Sequence, residues 1–223
     1  MKRKNFEYSL PNGYVLAKKM DAADLGFGLI LTIGSLLFFA VCIVVLAIPI
    51  FTNQDKLQSF KPDSLLFILS AYLVGTLIYM VLHELVHGIA YKSMTGEKLT
   101  FGIKWNCAYC GVPNILTYRK TSLVALYAPF LLFSLIFAPI TLWAWWYSIE
   151  IYITIALLVA THISGCIGDL YMGHILLTEH KDKTTLLNDT GPCVHIFTYD
   201  VTNIGTIDPK TEQFKMKFNE NKK

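Results

Sequence analysis

Charge is what this chain has least of. Asp, Glu, Lys and Arg make up 16% of its 223 residues, against a hydrophobic share of 54% and an aromatic share of 13%. A soluble globular domain carries about 25% charged residues, so the composition argues against one and points to a membrane protein. Cysteine is sparse and odd in number: Cys42, Cys107, Cys110, Cys166 and Cys193 are all there are, and two of them lie inside apolar runs. That excludes a disulfide framework as the organising principle. A cleavable secretory leader is not expected, because the first apolar run follows a long polar stretch and exceeds a leader's apolar core. Internal repeats and low-complexity blocks are also missing, which favours one membrane domain with short appendages. The net charge of +3 is too small to suggest a nucleic-acid partner.

What the chain does have is four apolar runs, at about 25–51, 65–91, 123–147 and 151–177. Each approaches or exceeds the roughly 20 residues that a spanning helix needs. They are apolar on all faces rather than striped, as lipid-facing helices are and surface helices of soluble proteins are not. The basic residues then argue orientation. Lys2, Arg3, Lys4, Lys18 and Lys19 precede the first run, and Lys92, Lys98, Lys104, Arg119 and Lys120 lie between the second and third. By the positive-inside rule these segments are cytoplasmic. The segment TNQDKLQSFKPD balances Lys56 and Lys61 against Asp55 and Asp63, and the turn at 148–150 has no Lys or Arg, so both face outside. The expected fold is an all-α membrane protein with four transmembrane helices and short β-like segments on the inner side. Its parts are a polar arm (1–24), a membrane domain (25–177) with an inner strand-like loop at about 92–120, and an inner tail (178–223). The expected location is a bacterial cell membrane, multi-pass, with both termini cytoplasmic.

The β-like character is read from three places. LTFGIKWNCAYCGVPNILTY, residues 99–118, is rich in aromatic and β-branched residues and predicts paired strands joined by a turn. The tail alternates, with turn signals at 189–192 and 203–205. The N-terminal arm, with Pro11 and the pair Asn12-Gly13, suggests a small hairpin.

Against this background MVLHELVHGIA stands out, since it buries two histidines and a glutamate in an apolar helix where each costs several kcal/mol unless paired. His83, Glu84 and His87 make H-E-x-x-H. On a helix the two histidines share one face and can reach a single metal ion, with Glu84 placed to take a proton from water at that ion. Zinc suits neutral imidazoles and asks for a third protein ligand beside an open position. A histidine six residues after His87 would mark the metzincins, but Ser93 stands there. Glu97 is too close and lies in the inner loop, and Glu150 is at the far end of the fourth run. Asp169, in THISGCIGDLYMGH, is the sole acidic residue of that run's interior. It follows the start of its run by about 18 residues, as His83 does, which puts both at a depth of about 27 Å along their helices. Gly165 and Gly168 beside Asp169, and Gly88 beside His87, predict close helix approach.

Other readings of these residues compete. The histidines could bond to one another or to carbonyls, and Asp169 could pair with a lysine of the inner loop. His162 shares a helix face with Cys166 and Asp169 but sits too far out to ligate the same ion. It is either a hydrogen-bond donor to a substrate carbonyl or a packing histidine. Cys107 and Cys110 form a lone C-x-x-C, read as strand residues, which Cys193 and His195 could complete into a second metal site. Trp143, Trp145, Trp146 and Tyr147 form an interfacial aromatic belt, and Pro129 and Pro139 bend the third helix.

HELVHG, AYC, YAPF, SGCIGDL and NDTG together resemble the DUF3267 family of zincin peptidases, over residues from about 80 to 194. More distantly the chain is similar to site-2 proteases, in which a membrane H-E-x-x-H helix and an aspartate on a later helix hold zinc; the Asn-Pro-Asp-Gly form that many of them show around that aspartate is absent. The resemblance implies Zn2+ held by His83, His87 and Asp169, with Glu84 as general base. The expected function is that of a membrane-embedded zinc metalloprotease hydrolysing peptide bonds in or next to the membrane. Its partners are the lipid bilayer and a protein or peptide substrate, membrane proteins included. The alternative is a non-enzymatic membrane metal-binding protein, such as a carrier, sensor or pseudo-protease. A carrier would need a path of further ligands, and the first and third runs contain no His, Asp or Glu.

Overall fold

The computed structural model describes residues 5–104, 108–200 and 209–220. Long helices dominate. α1 (Leu25–Thr52) is followed by the short α2 (Gln54–Ser59) and by a 3-10 turn, Pro62–Ser64, that leads into α3 (Leu65–Thr95). Then come α4 (Arg119–Tyr147), α5 (Ile149–Gly165), α6 (Ile167–Thr178) and α7 (Pro209–Glu220). Four stretches are long and apolar enough to cross a membrane: Leu25–Thr52, Pro62–Thr95, Arg119–Tyr147 and Ile149–Thr178. They coincide with the four apolar runs. Large apolar side chains such as Ile30, Leu66 and Leu135 stand exposed along them, as lipid contact requires.

Local chemistry sets the helix ends. Asp24 Oδ1 accepts the N–H groups of Gly26 and Phe27 at 3.1 and 3.0 Å, capping α1. Ser148 does the same for α5 through Ile151. Past the end of α3, Gly96 takes φ +73° and its N–H bonds to the Lys92 carbonyl, a left-handed stop that glycine adopts without strain.

The fourth span is two helices rather than one. The chain breaks at Cys166, between α5 and α6, so Asp169 lies in the first turn of a new helix. A carboxylate there is favoured by the dipole of the helix N-terminus.

β structure is more extensive than short inner segments, and the all-α expectation is corrected to a mostly helical fold with two antiparallel sheets. β1 (Phe6–Glu7), β2 (Tyr14–Asp21), β5 (Leu116–Tyr118), β6 (Leu186–Asp189) and β7 (Cys193–Tyr199) form one sheet in the order β1-β5-β6-β7-β2. β3 (Thr100–Ile103) and β4 (Ala108–Gly111) form the other. The hairpin expected in the N-terminal arm is not made: β1 pairs with β5 and β2 with β7. The turn at 189–192 does join a hairpin, β6 to β7. The turn signal at 203–205 lies outside the described residues.

The chain divides into two compact units, one of residues 1–29, 84–128 and 170–223, the other of 30–83 and 129–169. The first holds the large sheet. Because strand side chains alternate, neighbours on one strand enter different cores. Leu187 and Ile196 pack with Met172, Ile175 and Leu176 of α6, whereas Leu186 and Phe197 pack with Leu10, Leu116 and Phe218 of α7. The second unit has a core at Ala144, Ile149, Tyr152 and Ala156, flanked by Leu46 and Ile50 of α1. Gly75 lets α3 meet Leu158 of α5, where an added Cβ would come within 3.1 Å of the leucine.

Candidate functional site

His83 and His87 stand one turn apart on α3, both buried, as the helical spacing requires. The first turn of α6 brings Asp169 to them: its Oδ2 lies 3.2 Å from His83 Nε2. Ligand atoms of His83, His87 and Asp169 all fall within 4.8 Å of one another. Among the described residues no other group of three His, Cys, Asp or Glu side chains comes together in this way. Asp169, for which a lysine partner was also weighed, pairs with the His83 imidazole.

Each histidine is held through its other ring nitrogen. Nδ1 of His83 lies 2.9 Å from the Tyr79 hydroxyl, and Nδ1 of His87 lies 2.9 Å from the Ala125 carbonyl oxygen. The second contact has a covalent origin. Pro129, inside α4, has no N–H, so the carbonyl four residues before it, that of Ala125, is left without its helical donor. His87 supplies one. Such partners fix the tautomer and ring orientation of metal-binding histidines.

Glu84, half-buried, follows His83 on α3. Its charge reaches Cys110 of β4, whose thiol is pushed up to about 12, chiefly by burial and then by the negative charges of Asp189 and Glu84. The two-stranded sheet therefore lies close to the H-E-x-x-H turn. Gly88 is the reason it can. A Cβ there would meet Phe101 Cζ at 2.8 Å and Leu99 Cδ1 at 3.0 Å. Gly88 thus admits strand residues to α3, not a second helix as expected from sequence. Gly165 and Gly168, also read as contacts for a neighbouring helix, have open space where a Cβ would stand.

The tail motif NDTG braces the same part of α3. Asp189 accepts the Tyr91 hydroxyl at 2.6 Å and the Gly191 N–H at 2.8 Å, and its carbonyl accepts Val112 N–H at 2.8 Å. Tyr91 is one turn beyond His87. Asn188 binds the carbonyls of Pro113 and Ile115, both at 2.9 Å.

His162 is buried, with Nδ1 at 2.9 Å from the Tyr79 hydroxyl and Nε2 at 3.0 Å from Ser134 Oγ. Both ring nitrogens have partners, so it is a packed, hydrogen-bonded histidine. The second metal site is not formed among the described residues. Cys193 and His195 are neighbours on β7, with Sγ 3.9 Å from Nε2, and Cys107 lies outside the described residues. Cys42, Cys110, Cys166 and Cys193 are free thiols. Tyr79, Ser134 and Ala125 were missed because aromatic, hydroxyl and small residues in apolar helices read as packing. The one sequence signal was the spacing: Tyr79 is four residues before His83.

The fold and the cluster define a mostly helical protein whose four long apolar helical stretches are fit to cross a membrane, with two imidazoles and a carboxylate gathered in one place. Residues 76–184 match the model of the DUF3267 family, described as "Putative zincin peptidase". The resemblance carried by HELVHG and GDL is thereby shown over that stretch, which includes His83, Glu84, His87 and Asp169. Neither curated proteins nor solved structures give a match.

Proposed function

We propose that this protein is a membrane-embedded zinc metallopeptidase of the H-E-x-x-H, site-2-protease-like type, cutting peptide bonds in or next to the bilayer. The observation that carries the reading is the convergence of His83, His87 and Asp169 within 4.8 Å. The donor set fits the metal. Two imidazoles and one carboxylate are the three protein ligands that a catalytic zinc would take, and both histidines have their Nδ1 atoms engaged elsewhere. Two such imidazoles and a carboxylate are costly in an apolar setting unless something repays their desolvation, which a shared dication does.

In this reading His83, His87 and Asp169 hold the zinc. When bound, zinc supplies Lewis acidity, bringing the pKa of water toward roughly 7 and polarising the scissile carbonyl. Glu84 takes the proton from the attacking water and delivers it to the departing amine. The exposed strand β3, with Phe101 and Ile103 on its surface, offers an edge for an extended peptide, which unwinds a helical substrate and presents its backbone. The charge pattern supports an orientation with both termini and this strand segment in the cytoplasm.

The test is Glu84→Gln. With solubilised protein and a quenched-fluorescent peptide library, the wild type cleaves and the variant keeps its zinc while losing at least about a hundredfold in rate. Unchanged cleavage removes Glu84 as the base. Zinc binding without cleavage by the wild type leaves the non-enzymatic metal protein instead.

A further inference from the structure

Tyr79 places a hydroxyl in the middle of an apolar helix, where phenylalanine would pack as well. Its ring lies 5.2 Å from that of Phe133 and 6.1 Å from that of Phe137. The hydroxyl stands 2.9 Å from two imidazole nitrogens at once, His83 Nδ1 and His162 Nδ1. A phenol has one proton, so it donates to at most one of the two rings and accepts from the other. The outer nitrogens continue the file. His162 Nε2 is 3.0 Å from Ser134 Oγ, and His83 Nε2 is 3.2 Å from Asp169 Oδ2. Cys166 Sγ touches the same groups only at 3.7 and 4.0 Å.

With neutral rings and the phenol proton used inside the file, two proton arrangements satisfy the three links from Ser134 to His83. In one, Ser134 donates to His162, His162 to Tyr79, Tyr79 to His83, and His83 Nε2–H to Asp169. In the other those three bonds are reversed: His83 Nδ1–H donates to Tyr79, Tyr79 O–H to His162 Nδ1, and His162 Nε2–H to Ser134. Of these two, the second leaves the Nε2 lone pair of His83 pointing toward Asp169, where a cation would take it. The choice of direction is therefore made for all four groups together, and His162 is tied to His83 although the two share no bond.

We infer that Tyr79 and His162 are positioning residues for the metal: through this single file they set the tautomer of His83 and present its Nε2 lone pair to a divalent cation. The inference rests on His83 being a zinc ligand. It explains why a second buried histidine and a buried phenol occupy a cluster of Phe130, Phe133 and Phe137, where unsatisfied polar groups are costly and a complete chain of hydrogen bonds is not.

The experiment compares zinc affinity, by chelator competition, of the full-length wild type, Tyr79→Phe and Ser134→Ala in detergent. It is joined to nitrogen NMR of histidine-labelled wild type with and without zinc. Tyr79→Phe is expected to bind zinc about 10- to 100-fold more weakly, as loss of a ligand's outer partner does, and Ser134→Ala severalfold more weakly. In the zinc-loaded wild type the proton of His162 is expected on Nε2. Equal zinc affinity in Tyr79→Phe overturns the inference, and so does a His162 proton on Nδ1 in the loaded protein. The NMR result decides alone if the variant does not fold. A wild type that binds no zinc overturns the metallopeptidase reading and this inference with it, whereas a wild type that binds zinc with unaltered Tyr79→Phe affinity overturns only the inference.

Discussion

His87 Nδ1 meets the Ala125 carbonyl at 2.9 Å, and that carbonyl is available because Pro129 cannot donate to it. A residue on another helix thus orients a candidate ligand by what it lacks. Pro129→Ala restores an N–H that competes for the same oxygen. The expected outcome is unchanged helical content by circular dichroism and zinc affinity weakened by up to about tenfold in chelator competition.

Gly111 ends β4 where the Thr190–Gly191 turn comes against it, so closely that a Cβ would collide with backbone atoms of both residues. Backbone cannot swing aside as a side-chain tip can. Gly111→Ala should therefore separate β4 from the β6–β7 turn and strain the Val112–Asp189 hydrogen bond. A loss of about 1–3 kcal/mol is expected, read as a lower thermal midpoint in detergent.

His195 gives the sheet a dependence on acid. Burial, and then the charge of Lys19, lower its pKa from 6.5 to about 4, against a smaller opposite pull from Asp21, and the ring rests on Phe197 and Phe214. The folded protein holds the neutral ring while the unfolded chain takes its proton near 6.5. This contribution is therefore complete above that pH and is lost as pH falls toward 4. The thermal midpoint should fall across that window in the wild type and fall less in His195→Phe, which keeps the ring contacts; identical pH profiles would remove His195 from the explanation.

How much of this was legible beforehand differs by element. The four long apolar stretches were, because a helix fit to face lipid is apolar on every side. The pairing of H-E-x-x-H with Asp169 was legible from depth, since a rise of roughly 1.5 Å per residue converts sequence position into height. The five-stranded sheet was not. Its strands come from three distant parts of the chain, and β1 and β2 look like partners in sequence while each binds another strand. Glycines gave the wrong neighbour for the same reason. A missing side chain says that something comes near, and the hairpin at Gly88, or the open space at Gly165 and Gly168, is decided by tertiary structure. The break at Cys166 and the freed Ala125 carbonyl likewise depend on what packs around them.

The most direct measurement is the zinc content of the purified protein beside His83→Ala, His87→Ala and Asp169→Ala. One equivalent of zinc per wild-type chain is expected, with a large loss in each variant while helical content is retained. Stoichiometric zinc in all three variants, or none in the wild type, would contradict a metal centre built from these residues.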